Sequence, residues 1–169
     1  MGIVAMMSVS LVERLGGAAL VRTLGKAGFD GVIVPDLPLE ESAPYREAAS
    51  GAGLGFTLLI APTSQPARAI EIAKASTGFV YLMARMGITG EQSEAPQLSK
   101  PVAELREAGC PPIAVGFGIS SPEHVRAVVA EADAANVGSA LVRRLSDSKG
   151  PASEAEAFCV ALTAGLGRS

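Results

Sequence analysis

The stretch Val115-Gly116-Phe117-Gly118-Ile119-Ser120-Ser121-Pro122, followed one βα unit later by Val137-Gly138-Ser139-Ala140, decides the fold of this chain. Each turn follows an apolar run of strand character and precedes a helical pattern. Glycine there lets bare backbone N–H groups face an anion at the start of a helix. Two such turns after consecutive strands form a phosphate cup. In barrels of parallel strands that cup lies after the seventh and eighth strands, on the face where active sites form.

Working outward, six apolar runs read as strands: Gly2 to Met7, Gly31 to Val34, Gly55 to Ile60, Gly78 to Met83, Pro112 to Val115, and a weaker one from Ala134 to Val137. Several lack polar alternation, the pattern of strands covered on both faces. Helical patterns separate them at Val12 to Ala27, Leu39 to Ala52, Pro66 to Ala75, Leu98 to Ala108, Pro122 to Glu131 and Ser153 to Leu166. Strict βα alternation predicts right-handed crossovers and one parallel sheet. Pro66 and Pro122 suit first helical positions, and Gly28, Gly53 and Gly109 suit helix ends. The Gly-, Ser-, Glu- and Pro-containing segment from Gly87 to Lys100 reads as a loop over the upper face.

The chain has 169 residues, which suits one domain, 1–169, and falls short of the ~250 typical of a complete eight-unit barrel. The expected fold is therefore α/β, an incomplete TIM-type (β/α)8 barrel with about six parallel strands and outer helices. With 49% hydrophobic and only 18% charged residues, the chain is not disordered, and its net charge of −3 leaves no basic stripe for nucleic acid. Cys110 and Cys159 stand apart without a metal-ligand spacing, so neither a metal nor a disulfide framework is expected. The apolar start, Met1 to Met7, has no basic flank, the first Arg being Arg14, and no run approaches the ~18 apolar residues of a membrane span. These features predict a cytoplasmic protein.

Four segments in register carry a resemblance. Val34-Pro35-Asp36-Leu37-Pro38-Leu39-Glu40-Glu41, Tyr81-Leu82-Met83-Ala84-Arg85-Met86-Gly87-Ile88-Thr89-Gly90, Gly116-Phe117-Gly118-Ile119-Ser120 and Val137-Gly138-Ser139-Ala140-Leu141-Val142 are similar to the tryptophan synthase alpha subunit family. The resemblance implies a (β/α)8 barrel that cleaves indole-3-glycerol phosphate to indole and glyceraldehyde 3-phosphate. That reaction is a retro-aldol lyase step of tryptophan biosynthesis which needs no cofactor in this subunit, and indole passes to a partner beta subunit. It also implies phosphate contacts at Gly90, Gly116, Gly118, Gly138 and Ser139. Ile33 and Phe117 would line the indole pocket, Tyr81 would reach into it, and Thr89 would belong to a lid.

Aligned this way, the chain begins at the third barrel strand. The resemblance implies two catalytic carboxylates, one on the second strand and one in the loop after it, and the chain has no counterpart of either. The 169 residues alone are therefore expected to be inactive, with two open barrel edges that favour self-association or a partner. The alternative is a non-catalytic module that binds phosphate or docks on a beta subunit. Two departures stand out: Met7-Ser8-Val9-Ser10-Leu11 replaces a Tyr-x-Asn type pattern, and Ala134-Ala135-Asn136 puts a polar amide where the family has an apolar strand.

Plainer readings compete at several positions. Tyr81 shares a strand face with Phe79 and Met83, as a core aromatic would. Asp36, flanked by Pro35 and Pro38, is the one rim carboxylate able to replace the lost pair, and also a natural turn residue. Glu40 and Glu41 suit a helix first turn. His124 falls in the first turn of a helix without a nucleophile or ligand partner.

Overall fold

In a computed structural model, residues 1–84, 98–116, 118–146 and 150–167 are described. Seven parallel-type strands alternate with eight α-helices among them: β1 (Val4–Met6), α1 (Val9–Arg14), α2 (Ala18–Lys26), β2 (Gly31–Ile33), α3 (Ala43–Gly51), β3 (Gly55–Thr57), β4 (Leu59–Ile60), α4 (Pro66–Ala75), β5 (Val80–Met83), α5 (Ser99–Glu107), β6 (Ile113–Gly116), α6 (Pro122–Val129), β7 (Ala134–Asn136), α7 (Ser139–Ser146) and α8 (Pro151–Thr163). The strands form two sheets, ordered β1-β2-β3 and β4-β5-β6-β7. The registers of β1 with β2, β2 with β3 and β6 with β7 are parallel, as the βα alternation requires.

Three differences from the sequence reading have identifiable physical causes. The apolar run from Gly55 to Ile60 is split at Leu58, because the Leu58 N–H donates to the Ser76 hydroxyl at 3.1 Å instead of to a neighbouring strand. The expected helix from Val12 to Ala27 is two helices. Gly16 and Gly17 have φ of 111° and 60°, a left-handed step that no α-helix accommodates. The expected helix from Leu39 to Ala52 begins as a 3₁₀ turn, Leu39–Glu41, closed by the buried Ser42 hydroxyl donating to the Leu39 carbonyl at 2.7 Å.

Close contacts divide the chain into two units, Met1–Tyr81 with Glu104–Pro112, and Leu82–Ala103 with Ile113–Ser169. In the first, Val12, Val21, Val32, Val34, Leu54, Phe56 and Leu58 form a buried core, with Met7, Leu20, Leu24 and Ile72 packed against it. Each fully buried aliphatic or aromatic chain contributes about 1.5–3 kcal/mol, against about 0–1 for a surface ion pair, so this cluster dominates the unit's stability. Along β1 the exposed side chains are apolar: Met1, Ile3, Val4 and Met6. In the second unit, Arg144 on α7 donates to Glu154 at 2.8 Å and stacks 4.9 Å from the ring centre of the buried Phe158, which fastens α7 to α8.

A repeated backbone device sets the strand registers. Asp30, just before β2, donates its N–H to the Ile3 carbonyl at 2.8 Å and accepts the Ile3 N–H on Oδ2 at 2.6 Å. Asp133, just before β7, treats Ile113 the same way, at 3.0 and 2.8 Å. Thr77 does so with Phe56 through its hydroxyl, at 2.7 and 2.9 Å. A polar residue ahead of one strand thus satisfies both backbone groups of a residue near the start of another, the N–H through its side chain and the carbonyl through its own backbone N–H.

Candidate functional site

The site is built from the ends of β6 and β7. Gly116 and Asn136 are Cα partners in the β6–β7 register, and Gly118 and Gly138 each stand two residues beyond them. Both glycine turns therefore leave the sheet at the same level on neighbouring strands. Gly116 is buried and its carbonyl accepts the Ala84 N–H at 3.0 Å; Gly118, Gly138 and Ser139 are exposed.

The two turn glycines differ in conformation. Gly118 has φ +78°, a conformation L side chains rarely adopt, so its backbone alone calls for glycine. Gly138 lies outside the left-handed region, and an added Cβ would meet nothing within 4 Å. Neither conformation nor packing among the described residues explains glycine at 138.

Each turn runs into a helix start. Ser121 caps α6, accepting the His124 N–H at 3.3 Å, and Pro122 follows at the first helical position. Gly138 precedes α7, whose Ser139 is first in the helix, and its carbonyl accepts the Val142 N–H at 3.1 Å. Free N–H groups at helix starts carry partial positive charge, which suits a phosphate dianion. His124 lies in the first turn of α6 as expected, its Nδ1 3.4 Å from the Ser120 nitrogen. Beside it, the Ser121 hydroxyl, its own backbone N–H and the charges of Arg126 and His124 hold the Glu123 carboxyl below the usual range.

Behind this site a tight contact sets the position of α6. Gly165, buried in the 3₁₀ turn Ala164–Leu166, lies so close to α6 that an added Cβ would stand 2.3 Å from the Pro122 carbonyl oxygen and 2.8 Å from Val125 Cβ. Sequence reasoning missed Gly165, because a glycine at a helix end reads as an ordinary cap.

The remaining predicted residues fall elsewhere. Ile33 and Tyr81 belong to the first unit: Ile33 ends β2 and is buried, while Tyr81 is half-buried on β5, where burial pushes its phenol up. Val80 and Leu82 are buried and Tyr81 and Met83 half-buried, so the strand face proposed for Tyr81 is the more open one. Gly90, Thr89 and Phe117 lie outside the described residues, as does most of the Gly87 to Lys100 segment.

Asp36 is exposed, and its Oδ1 accepts the N–H of Val9, the first residue of α1, at 2.7 Å. Glu40, read as a helix-dipole partner, forms an ion pair with Arg68 on α4 at 2.5 Å. Its own backbone N–H and then Arg68 hold its carboxyl below the usual range. Among the described residues, no group of three or more His, Cys, Asp or Glu could hold a metal, and no helix is long and apolar enough to cross a membrane.

A parallel α/β chain with paired glycine turns at the ends of adjacent strands has the architecture of a (β/α)8-barrel protein. Its particular family is shown by comparison: the model of the tryptophan synthase alpha chain matches residues 1–165, and the chain belongs to that family. It is 46% identical over 158 residues to the tryptophan synthase alpha chain of Thermosynechococcus vestitus, covering 92% of this chain and 59% of that one. With the Acaryochloris marina alpha chain it shares 44% identity over 160 residues, 92% and 60% of the two chains. A solved Mycobacterium tuberculosis tryptophan synthase matches at TM-score 0.86 and 33% identity over 99% of this chain and 63% of that one. A mutant alpha subunit from Pyrococcus furiosus matches at TM-score 0.81 and 31% identity, over 99% and 67%. The fold class is thus the expected one, an incomplete (β/α)8 barrel, and the chain spans about 60% of the length of the curated relatives it matches.

Proposed function

We propose that this chain supplies the phosphate-binding part of a tryptophan synthase alpha-type lyase, and that its ligand is indole-3-glycerol phosphate or the product glyceraldehyde 3-phosphate. The observation that carries this reading is the level exit of the Gly118 and Gly138 turns from the paired residues Gly116 and Asn136. In this reading the backbone N–H groups at the starts of α6 and α7, with the Ser139 hydroxyl, hold the phosphate. The family resemblance assigns Ile33, Tyr81 and Phe117 to contacts with the indole ring. The same resemblance assigns Thr89 to a lid and Gly90 to a phosphate contact.

In the retro-aldol step, the hydroxyl on the carbon joined to indole loses its proton. The carbon–carbon bond breaks to give the aldehyde, its electron pair enters the indole ring, and the ring carbon takes a proton. Carboxylates suit both transfers. The two that the family resemblance calls for are not among residues 1–169, and the Asp36 carboxylate already accepts the Val9 N–H, which supports a capping role. A positioned acid or base typically contributes ~10²–10⁴-fold, so the 169 residues alone bind and do not turn over at a useful rate. The alternative, a non-catalytic module docking on a beta subunit, shares the same cup. The exposed apolar side chains of β1 support association of the isolated chain through that edge.

Calorimetric titration with glycerol 3-phosphate and indole-3-glycerol phosphate, beside an indole-release assay with and without a beta subunit, tests the reading. Binding of both ligands with no indole above the blank is expected. Absence of binding contradicts the phosphate site, and turnover comparable to a complete alpha chain contradicts the assignment of chemistry outside these residues.

A further inference from the structure

Asn136 is the one residue of β7 with a polar side chain. Its Nδ2 is buried and has no hydrogen-bond partner among the described residues. Leaving a buried donor unmatched is costly, and such atoms in native proteins call for an explanation. The orphan's position offers one. Asn136 pairs with Gly116, and Cα partners across a ladder project to the same face, so the amide stands beside a residue with no side chain. Two residues further on, Gly138 opens onto free space.

We propose that the Asn136 amide is a ligand-binding group, donating from Nδ2 to an oxygen of a phosphorylated three-carbon chain held at the Gly118 and Gly138 turns. This inference rests on the phosphate reading of the cup and adds to it a side-chain donor that the backbone groups do not provide. Holding the donor unmatched in the free protein costs stability that is regained when the ligand's oxygen arrives. Stability and affinity therefore respond to substitution in opposite directions, which a purely structural asparagine would not produce.

The test titrates the whole chain and its Asn136→Leu and Asn136→Asp variants with glycerol 3-phosphate and, separately, with inorganic phosphate, and records thermal midpoints without ligand. Asn136→Leu removes the orphan and is expected to raise the midpoint while weakening glycerol 3-phosphate binding about tenfold, the loss of one charge-assisted hydrogen bond. Asn136→Asp, of the same shape but without the donor, weakens it at least as much and keeps the result interpretable if the leucine variant folds poorly. Loss with both ligands places the acceptor on the phosphate, and loss with glycerol 3-phosphate alone places it on a glycerol hydroxyl; either supports the inference. If the parent binds and both variants bind equally well, the inference is overturned while the cup stands. If the parent binds neither ligand, the phosphate reading falls and the inference with it.

Discussion

The Asp36 carboxylate accepts the backbone N–H of Val9 at 2.7 Å, across 27 residues of sequence, and so ties the end of β2 to the start of α1. Ser8 caps the same helix, accepting the Leu11 N–H at 3.4 Å, and together the two side chains satisfy two of the donors that a helix start leaves free. Asp36→Ala is expected to cost about 1 kcal/mol, and Asp36→Asn, which keeps an acceptor, less. Urea midpoints measure both. In an indole-release assay Asp36→Asn leaves the background unchanged; a loss of turnover in that variant would instead assign the chemistry to Asp36.

The clamp between Asp133 and Ile113 predicts a larger effect, because the Asp133 carboxylate is the acceptor for the N–H of the buried Ile113. Asp133→Ala removes a charge-assisted hydrogen bond and leaves the Ile113 N–H unmatched, at a cost of about 1–3 kcal/mol. Hydrogen exchange locates the effect: the amides of β6 and β7 lose protection first. Thr77→Val at the Phe56 clamp is expected to cost less, since the lost acceptor is neutral.

Gly165→Ala tests the packing behind the cup. With the Pro122 carbonyl 2.3 Å from the added methyl, either the Ala164–Leu166 turn or the start of α6 must move, and overpacking of this kind typically costs about 1–3 kcal/mol. Because Pro122 begins the helix that follows the Gly118 turn, glycerol 3-phosphate affinity should fall with stability. Unaltered affinity in a destabilised variant would separate the cup from the position of α6.

Acid should weaken the fold through Glu40 and Glu123, whose carboxyls are both held below the usual range. A carboxyl with a depressed folded-state pKa contributes stability above its unfolded value, near ~4.3, and that contribution is lost as the pH falls through the folded value. Thermal midpoints should therefore decline below about pH 5. Arg68→Met should shrink only part of the decline, since the backbone N–H of Glu40 outweighs Arg68 in holding its carboxyl down. Both carboxylates are exposed, so salt should blunt the Arg68 contribution.

Most of the architecture was legible because buried parallel strands and glycine turns leave strong local marks. Pro66 and Pro122 begin α4 and α6, and Gly28, Gly53 and Gly109 follow α2, α3 and α5. The break at Gly16-Gly17 and the 3₁₀ start closed by Ser42 are local, but the other misses depend on a partner distant in sequence. Nothing near Leu58 announces that Ser76 will take its N–H, and nothing near Asp30, Asp133 or Thr77 marks them as clamps for residues about 20 to 27 positions away. Asp36 was legible as a turn residue between Pro35 and Pro38, but the Val9 N–H that its carboxylate accepts lies 27 residues away and left no local mark. Of the two turn glycines, Gly118 was readable as a turn residue from its motif, and its φ of 78° requires glycine. Gly138, a glycine that neither φ nor packing requires, carries no local mark of that difference.

The central claim, that the turns after β6 and β7 form one phosphate site, is tested most directly by adding glycerol 3-phosphate to the isotope-labelled chain and to Gly118→Val while following backbone amide signals. A β-branched residue at φ +78° is strained and crowds the turn, so the account predicts saturable shifts at Gly118, Gly138 and Ser139 in the parent and their loss together in the variant. Shifts confined to one of the two turns, or unchanged by Gly118→Val, would contradict it.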